Sequence, residues 1–286
     1  MRLSGDMNHR NSLLPILMYH AIWSRADGAI PQTSSVEHAV EARDFRAQLD
    51  AIVDGGYHTI KIDDLDRPAS APKPLLITFD DGHESDFTVA APELARRNLH
   101  AIFFVIWSYL GRPGYMTRDQ VLALRERGFE IGSHGMTHRG FTSMSPVESS
   151  KEVRESKRRL EDLLQEPIAA LALPFGHYND DVLKLAWAAG YRRVMTSDFR
   201  VANREHRIMP RMGPMAYTTI RDFKWMLEAS RAGAIRHRTI EAIGERLKRW
   251  TNYGEAILSR AQNAEALAKP EASPRGDRAQ AENQTI

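Results

Sequence analysis

Two acidic residues and two histidines have the types and the spacing of a hydrolytic metal site. Asp80 and Asp81 follow the apolar run Pro74 to Phe79 and precede a glycine. His134 and His138 are four residues apart, so both imidazoles can reach one ion from a single turn or tight loop. Adjacent carboxylates repel each other, so one of them needs a cation. Asp81, His134 and His138 make a His₂Asp set, and three protein ligands leave coordination positions open for a water.

Three other apolar runs also end in residues that could serve a reaction. Met18-Tyr19-His20 places a histidine after a predicted buried strand, and Leu173-Pro174-Phe175-Gly176 turns the chain after another. Ile208-Met209-Pro210-Arg211 brings an arginine after a third. Taken one at a time, these are ordinary: a histidine at a strand end is more often structural, and Arg211 could equally lie on the surface. Their common position at strand ends favours a shared site.

The elements that must position these residues alternate between short apolar runs and amphipathic stretches. This pattern predicts βα units with parallel strands and outer helices, and active sites in such folds lie at the carboxyl ends of the strands. Capping boxes begin two helices, at Thr117 and at Ser145. The predicted strands are 14–19, 58–62, 74–79, 101–107, 130–132, 169–173 and 193–196, and the predicted helices are 44–54, 92–98, 117–127, 146–165, 180–189, 218–231 and 234–268.

Three motifs together resemble one known family. TFDDG at 78–82, SHGMTH at 133–138 and LPFG at 173–176 are similar, in order and separation, to the motifs of polysaccharide deacetylases of the NodB-homology class, carbohydrate esterase family 4. The resemblance covers about residues 14–211. It implies an α/β fold, a distorted and incomplete (β/α) barrel, with one divalent metal ion in its mouth. Zn²⁺ is the expected ion, with Co²⁺, Ni²⁺ and Fe²⁺ as alternatives.

The resemblance also implies a role for each motif residue. Asp80 is expected to be the general base, and Asp81, His134 and His138 to hold the metal. The backbone N–H of Phe175 is expected to stabilise the oxyanion of the tetrahedral intermediate. The implied reaction is hydrolysis of an acetamide, in which a metal-activated water loses its proton to Asp80 and the leaving amine gains one from a general acid.

Two departures from the family pattern point to a particular branch. The third motif commonly begins with an arginine that pairs with the base, but Ala172 stands there. The second departure is that no clean L-x-H motif, the usual source of the general acid, appears near the C-terminus. Both features are similar to the branch that deacetylates poly-N-acetylglucosamine and other exopolysaccharides, in which the general acid is the histidine of an N-terminal M-Y-H signature. His20 is therefore the expected general acid, and Arg211 the expected replacement for the missing arginine.

Several residues near the motifs are candidates for contact with a sugar. Trp107 and Tyr109 follow the most apolar predicted strand, so they could form a sugar platform or belong to the core. Pro174, His177 and Tyr178 lie in or just after the third motif and are expected to line the cleft.

Composition excludes several classes of protein. The 39 Lys and Arg residues nearly balance the 37 Asp and Glu residues, so no overall basic field favours nucleic acid. The absence of cysteine excludes disulfides, thiolate zinc sites and a cysteine nucleophile. No apolar run reaches the roughly 18 residues that span a bilayer. The N-terminal segment does not resemble a secretory signal, so a cytoplasmic location is expected.

The expected domain organisation has four parts. Residues 1–13 form an N-terminal segment, 14–214 the deacetylase barrel, 215–268 a helical extension packed on it, and 269–286 a disordered polar tail. The late helix around Trp250 carries basic residues and could instead lie on a membrane surface, which would make peripheral membrane contact a further interaction.

The expected function is metal-dependent removal of the N-acetyl group from an amino sugar in a polysaccharide or glycoconjugate precursor. The alternatives are a deformylase or O-deacetylase acting on a related glycan, a catalytically silent carbohydrate-binding barrel, and an unrelated barrel with a chance His₂Asp cluster. The sequence leaves the identity of the sugar and the oligomeric state open.

Overall fold

A computed structural model describes residues 13–24, 34–67 and 71–231. Every described residue belongs to the unit formed by residues 1–241. The predicted tail and the predicted late helix, with the basic stretch around Trp250, lie outside the described residues. No helix in the described part of the chain has both the length and the apolar character needed to cross a membrane.

A parallel sheet forms the centre of the described structure. The strands are β1 Leu13–Leu14, β2 Ile16–Tyr19, β3 Ile22–Trp23, β4 Val40–Glu41, β5 His58–Thr59, β6 Pro74–Phe79, β7 Ile102–Val105, β8 Glu130–Ser133, β9 Ala170–Ala172, β10 Arg193–Met195, β11 Ala202–Asn203 and β12 Ile208–Met209. In the parallel sheet, the neighbouring strands in spatial order are β12, β10, β9, β8, β7, β6 and β2, and β5 pairs with the beginning of β6.

The sheet curls until its two edges meet. Just beyond β12, the backbone N–H of Met212 donates to Ile16 O at 2.8 Å, and the N–H of Met18 donates to Met212 O at 2.9 Å. These bonds join the last part of the sheet to β2 in parallel register. The result is a nearly closed parallel barrel, which confirms the predicted fold class.

Six α-helices are described, and most pack outside the strands. They are α1 Ala42–Asp54, α2 Ala91–Arg96, α3 Arg118–Glu126, α4 Pro146–Leu164, α5 Asp180–Ala188 and α6 Ile220–Arg231. Both predicted capping boxes are present, because the side chains of Thr117 and Ser145 accept bonds from backbone N–H groups three residues on.

The structure differs from the sequence expectation on both sides of β6 along the chain. The strand predicted over 58–62 covers only His58–Thr59, because Lys61 begins a 3₁₀ turn at Ile62–Asp66. A π-helical turn, Asp86–Ala90, precedes α2 and was not predicted. This turn continues directly into α2, so the helical segment after the TFDDG motif begins at Asp86.

The core has two layers because successive side chains of a strand point to opposite faces. Leu75, Ile77 and Phe79 of β6 pack in the larger cluster with the helices. Leu76 of the same strand packs in a smaller cluster inside the barrel, with Phe104 and Ala172. Continuing this alternation, Thr78 and Asp80 fall on the inner side. Strand geometry therefore directs Asp80 toward the mouth of the barrel.

Candidate active site

Asp81, His134 and His138 meet at the carboxyl ends of β6 and β8, and their ligand atoms all lie within 4.8 Å of one another. The Nε2 atoms of His134 and His138 each lie 3.3 Å from Oδ1 of Asp81. That oxygen is buried and accepts no hydrogen bond of good geometry within the described structure. A buried carboxylate oxygen facing two imidazole nitrogens is suited to a cation, so these three residues fit a divalent metal.

The backbone fixes which nitrogen of His134 faces this site. Its Nδ1 lies 2.9 Å from the carbonyl oxygen of Ala172 on β9, and a carbonyl oxygen can only accept a hydrogen bond. Nδ1 therefore carries the proton, and in the neutral ring the lone pair is on Nε2, toward Asp81. This arrangement is typical of metal-binding histidines.

The carboxylate of Asp80 is paired with Arg211 rather than with the histidines. The guanidinium donates from Nη1 to Oδ1 at 2.7 Å and from Nη2 to Oδ2 at 2.6 Å. It also donates to Thr78 Oγ1 and to the Thr196 carbonyl oxygen. Arg211 is 0% exposed and Asp80 is 2% exposed, so the pair is buried and Arg211 is not a surface residue. This is the contact expected of a replacement for the arginine absent at Ala172.

Burial raises the pKa values of the two carboxyl groups, whereas neighbouring positively charged or polar groups lower them. Burial alone raises the pKa of Asp80, but Arg211 and then His134 lower it more, so the net shift is downward. Burial also raises the pKa of Asp81, but its close contacts with the imidazoles of His134 and His83 bring the net pKa well below the ordinary range. Both groups are therefore ionised near neutral pH, and two adjacent negative charges favour a cation at the site.

His20 follows β2 and is close enough to the acidic pair to interact with both carboxylates. Its ring lies 4.7 Å from the ring of His38, whose Nδ1 is 2.7 Å from Ser35 Oγ. Burial lowers the pKa of His20 to about 4, although Asp81 and Asp80 act to raise it. The net shift is downward because the loss of hydration of the imidazolium outweighs its attraction to the two carboxylates.

The LPFG segment forms a 3₁₀ turn, Pro174–Gly176, in which Pro174 is buried and the side chain of Phe175 is 60% exposed. The Phe175 ring lies 4.9 Å from the His138 ring. Five described residues other than glycine have positive φ, and three of them are Asp81, His138 and Phe175. Such conformations cost energy and cluster at functional sites, so the backbone strain coincides with the motif residues.

The remaining candidates for sugar contact are placed differently from one another. Tyr109 approaches the site, with its ring 6.4 Å from that of His138. Trp107 packs against the larger core cluster, and the guanidinium groups of Arg118 and Arg159 lie over its ring. His177 and Tyr178 are exposed just beyond the LPFG turn. Of the two aromatic residues after β7, Tyr109 is therefore the one near the histidines.

Sequence reasoning missed two residues that touch the motifs. Glu152 of α4 accepts bonds from the Met136 and Thr137 backbone N–H groups and from Thr137 Oγ1, so it fixes the loop between the two histidines. The signal for it was an acid on the buried face of an amphipathic helix. His83 lies 3.4 Å from Oδ2 of Asp81. The feature of the sequence that could have indicated His83 is its position directly after Asp80-Asp81-Gly82.

Comparison with known proteins agrees with this geometry. Residues 67–194 match the family model of polysaccharide deacetylases. The Bacillus subtilis protein YxkH, named as a candidate polysaccharide deacetylase, is 27% identical over 217 residues, which cover 71% of this chain and 74% of YxkH. Peptidoglycan-N-acetylglucosamine deacetylase of Bacillus cereus is 34% identical over 126 residues, covering 44% of this chain and 57% of the relative.

A solved structure extends the agreement to the fold. Deacetylase PplD of Streptococcus pyogenes, in complex with acetate, is similar with a TM-score of 0.68 at 25% identity, over 75% of this chain and 98% of PplD. Residues 67–194 therefore match a polysaccharide deacetylase domain, and the fold around them is similar to that of a deacetylase.

Proposed function

We propose that this polysaccharide deacetylase is a divalent-metal-dependent enzyme that removes the N-acetyl group from an amino sugar in a polysaccharide or glycoconjugate precursor. The observation that carries the proposal is that two adjacent carboxylates have different neighbours. Asp81 faces two imidazole nitrogens, while Asp80 is held by Arg211. One acid is thus available as a ligand and the other as a base.

Asp81, His134 and His138 are the proposed metal ligands, and Zn²⁺ suits their nitrogen and oxygen donors. When bound there, the ion polarises the acetamide carbonyl and lowers the pKa of a water. Co²⁺, Ni²⁺ and Fe²⁺ accept the same donors and are the alternatives.

Asp80 is the proposed general base. Because Arg211 keeps it ionised, Asp80 can accept the proton of the attacking water as that oxygen bonds to the carbonyl carbon. The Phe175 backbone N–H is proposed to donate to the developing oxyanion. When the tetrahedral carbon collapses, the C–N bond breaks, the nitrogen takes a proton, and acetate and a free amine are released.

His20 is the proposed donor of that last proton. With a pKa of about 4, the ring is neutral at pH 7 before the reaction begins. The role therefore requires the negative charge of the tetrahedral intermediate to raise the pKa of His20 during turnover, as a nearby opposite charge does. Asp80 and Asp81 already act in that direction.

The names of the relatives support a glycan substrate. One of them is a peptidoglycan-N-acetylglucosamine deacetylase, and N-acetylglucosamine is accordingly the first sugar to test. Tyr109 and the exposed ring of Phe175, both near His138, are the proposed surfaces for the sugar, with Pro174, His177 and Tyr178 lining the adjoining turn.

The deciding experiment measures acetate release from a panel of N-acetylated glycans and sugar conjugates, with and without chelator. N-formylated and O-acetylated analogues in the same panel separate the other acyl-transfer activities. We expect acetate from an N-acetylated substrate, its loss with chelator, and its recovery with Zn²⁺. Glycan binding without acetate release would identify a silent binding barrel instead.

Two variants assign the acids and ligands. Asp80→Asn should keep the metal and lose about 10²–10⁴-fold in turnover, the usual worth of general base catalysis. His134→Ala should bind the metal weakly. Loss of the metal in Asp80→Asn would make Asp80 a ligand, and full metal occupancy in His134→Ala would refute the assigned ligand set.

A further inference from the structure

The two oxygens of Asp81 face different neighbours. Oδ1 lies 3.3 Å from the Nε2 atoms of both His134 and His138, whereas Oδ2 lies 3.4 Å from Nε2 of His83. The side chain of His83 is 1% exposed, so this contact is shielded from water. A carboxylate with one oxygen toward the ligand cluster and the other toward an imidazole is oriented rather than free to rotate.

The His83 ring is itself held by the loop that packs over it. It stacks on the Tyr115 ring with centroids 5.4 Å apart and planes 17° apart. Backbone bonds on both sides fix this pairing, from Glu84 N–H to Gly114 O and from Met116 N–H to Gly82 O, each at 2.9 Å. The position of Nε2 is therefore set by contacts that do not involve a metal.

We infer that His83 is a positioning residue for the proposed metal ligand Asp81. Its Nε2 lies 3.4 Å from Oδ2, a contact outside good hydrogen-bond geometry. In the tautomer protonated at Nε2, the electrostatic attraction restrains rotation of the carboxylate, so that Oδ1 stays directed at the two histidines. Partners of a ligating carboxylate commonly serve this purpose. The inference rests on the proposed function, because it requires Asp81 to be a ligand. The competing role is structural, in which His83 only supplies a flat ring for Tyr115.

A pair of substitutions in the full chain separates the two roles. His83→Gln keeps an N–H donor and loses the ring, whereas His83→Phe keeps a ring to stack on Tyr115 and loses the donor. We would measure Zn²⁺ affinity of chelator-stripped protein by competition with a chromophoric chelator. His83→Phe should bind Zn²⁺ about 10–100-fold more weakly than the original chain, the usual effect of removing such a partner. His83→Gln should stay within a few-fold.

The opposite order, with His83→Phe near the original affinity and His83→Gln weak, would overturn the inference and assign the ring a packing role. Equal affinity in all three proteins would overturn it too. His83→Leu is a second donor-free variant to use if His83→Phe does not fold, as judged by thermal unfolding without metal.

His134→Ala, measured in parallel, distinguishes failure of this inference from failure of the proposed function. If the original chain binds Zn²⁺ no better than His134→Ala, the metal centre itself is wrong. If His134→Ala binds weakly while His83→Phe binds normally, only the role of His83 is wrong.

Discussion

The protonation state of Asp80 depends on Arg211. Burial of a carboxylate raises its pKa, and here a bidentate guanidinium reverses that effect. As the proposed base, Asp80 must be ionised to accept a proton, so Arg211 would extend the working range of Asp80 toward low pH. Arg211 reaches Asp80 from the segment after β12.

Replacing Arg211 with Gln should therefore raise the pKa of Asp80 and move the acidic limb of the kcat/KM profile to higher pH, so that activity at low pH is lost first. Stability should fall by about 3–5 kcal/mol, because a buried charge loses its partner. Arg200→Gln is the control, since it breaks an exposed pair with Asp198. An unchanged pH profile in Arg211→Gln would show that Asp80 is not the titrating base.

His20 allows an equally direct test. Its substitution by Ala should leave metal content and fold intact and reduce kcat by about 10²–10⁴-fold, with a smaller change in KM, because proton donation matters only as the C–N bond breaks. His58→Ala, on an exposed position of β5, is the control. Near-normal kcat in His20→Ala would remove His20 from the mechanism and direct attention to His206 or to a water as the donor.

Among the elements, the LPFG turn has little room to change. Gly176 has φ +73°, and a Cβ there would lie 2.6 Å from the backbone nitrogen and the Cβ of Ser197. The turn therefore packs closely against the segment after β10, and any side chain at position 176 must displace that segment. Since the adjacent Phe175 supplies the proposed oxyanion donor, this element links backbone packing to the reaction.

Gly176→Ala should accordingly lower kcat while metal affinity is kept, and destabilise the protein by more than about 1 kcal/mol, since alanine is strained at positive φ. Gly140→Ala is the matched control, because its φ is −61° and the nearest atoms to a Cβ are 3.6 Å away. Kinetics, metal titration and thermal unfolding of the two variants test this. Equal behaviour of both would show that the turn adapts.

At the scale of the whole molecule, the part of the chain that the structure describes contains a fully buried acid, Asp86, that the proposed mechanism does not use. Asp86, in the π-helical turn, is 0% exposed, and burial followed by Asp81 and Asp80 raises its pKa well above the ordinary range. In the unfolded chain this carboxyl ionises at its ordinary pKa. Between the two pKa values the folded state binds more protons, so the contribution of Asp86 to stability falls as pH rises through that window.

Asp86→Asn removes this titration. Without metal, the variant should gain stability over the original chain as pH rises from about 4, the ordinary pKa of Asp, to neutrality, with little difference below that pH. Denaturant unfolding at a series of pH values measures the effect. Asp54→Asn, which removes an exposed carboxyl, is the control. A variant less stable at neutral pH than at pH 4, relative to the original chain, would contradict the prediction.

Much of the fold and site was accessible from the sequence because the signals are local. Short apolar runs and capping residues are recognised over a few positions, and Pro74–Phe79 has the predicted bounds. The DDG sequence and the two histidines four apart indicate candidate ligands, whose common location follows from the carboxyl ends of parallel strands. The structure brings Asp81, His134 and His138 into one cluster.

The tertiary structure alone decided the contacts between residues far apart in the chain. Arg211 meets Asp80 across 131 positions, and the sequence offered it only as a candidate. The low pKa of His20 and the packing of Trp107 against the core depend on the residues that surround each ring. Local patterns fix which face of a strand a residue occupies. Burial, and the distance between side chains on different strands, arise only when the barrel closes, and these two quantities set the charge on every group in the site.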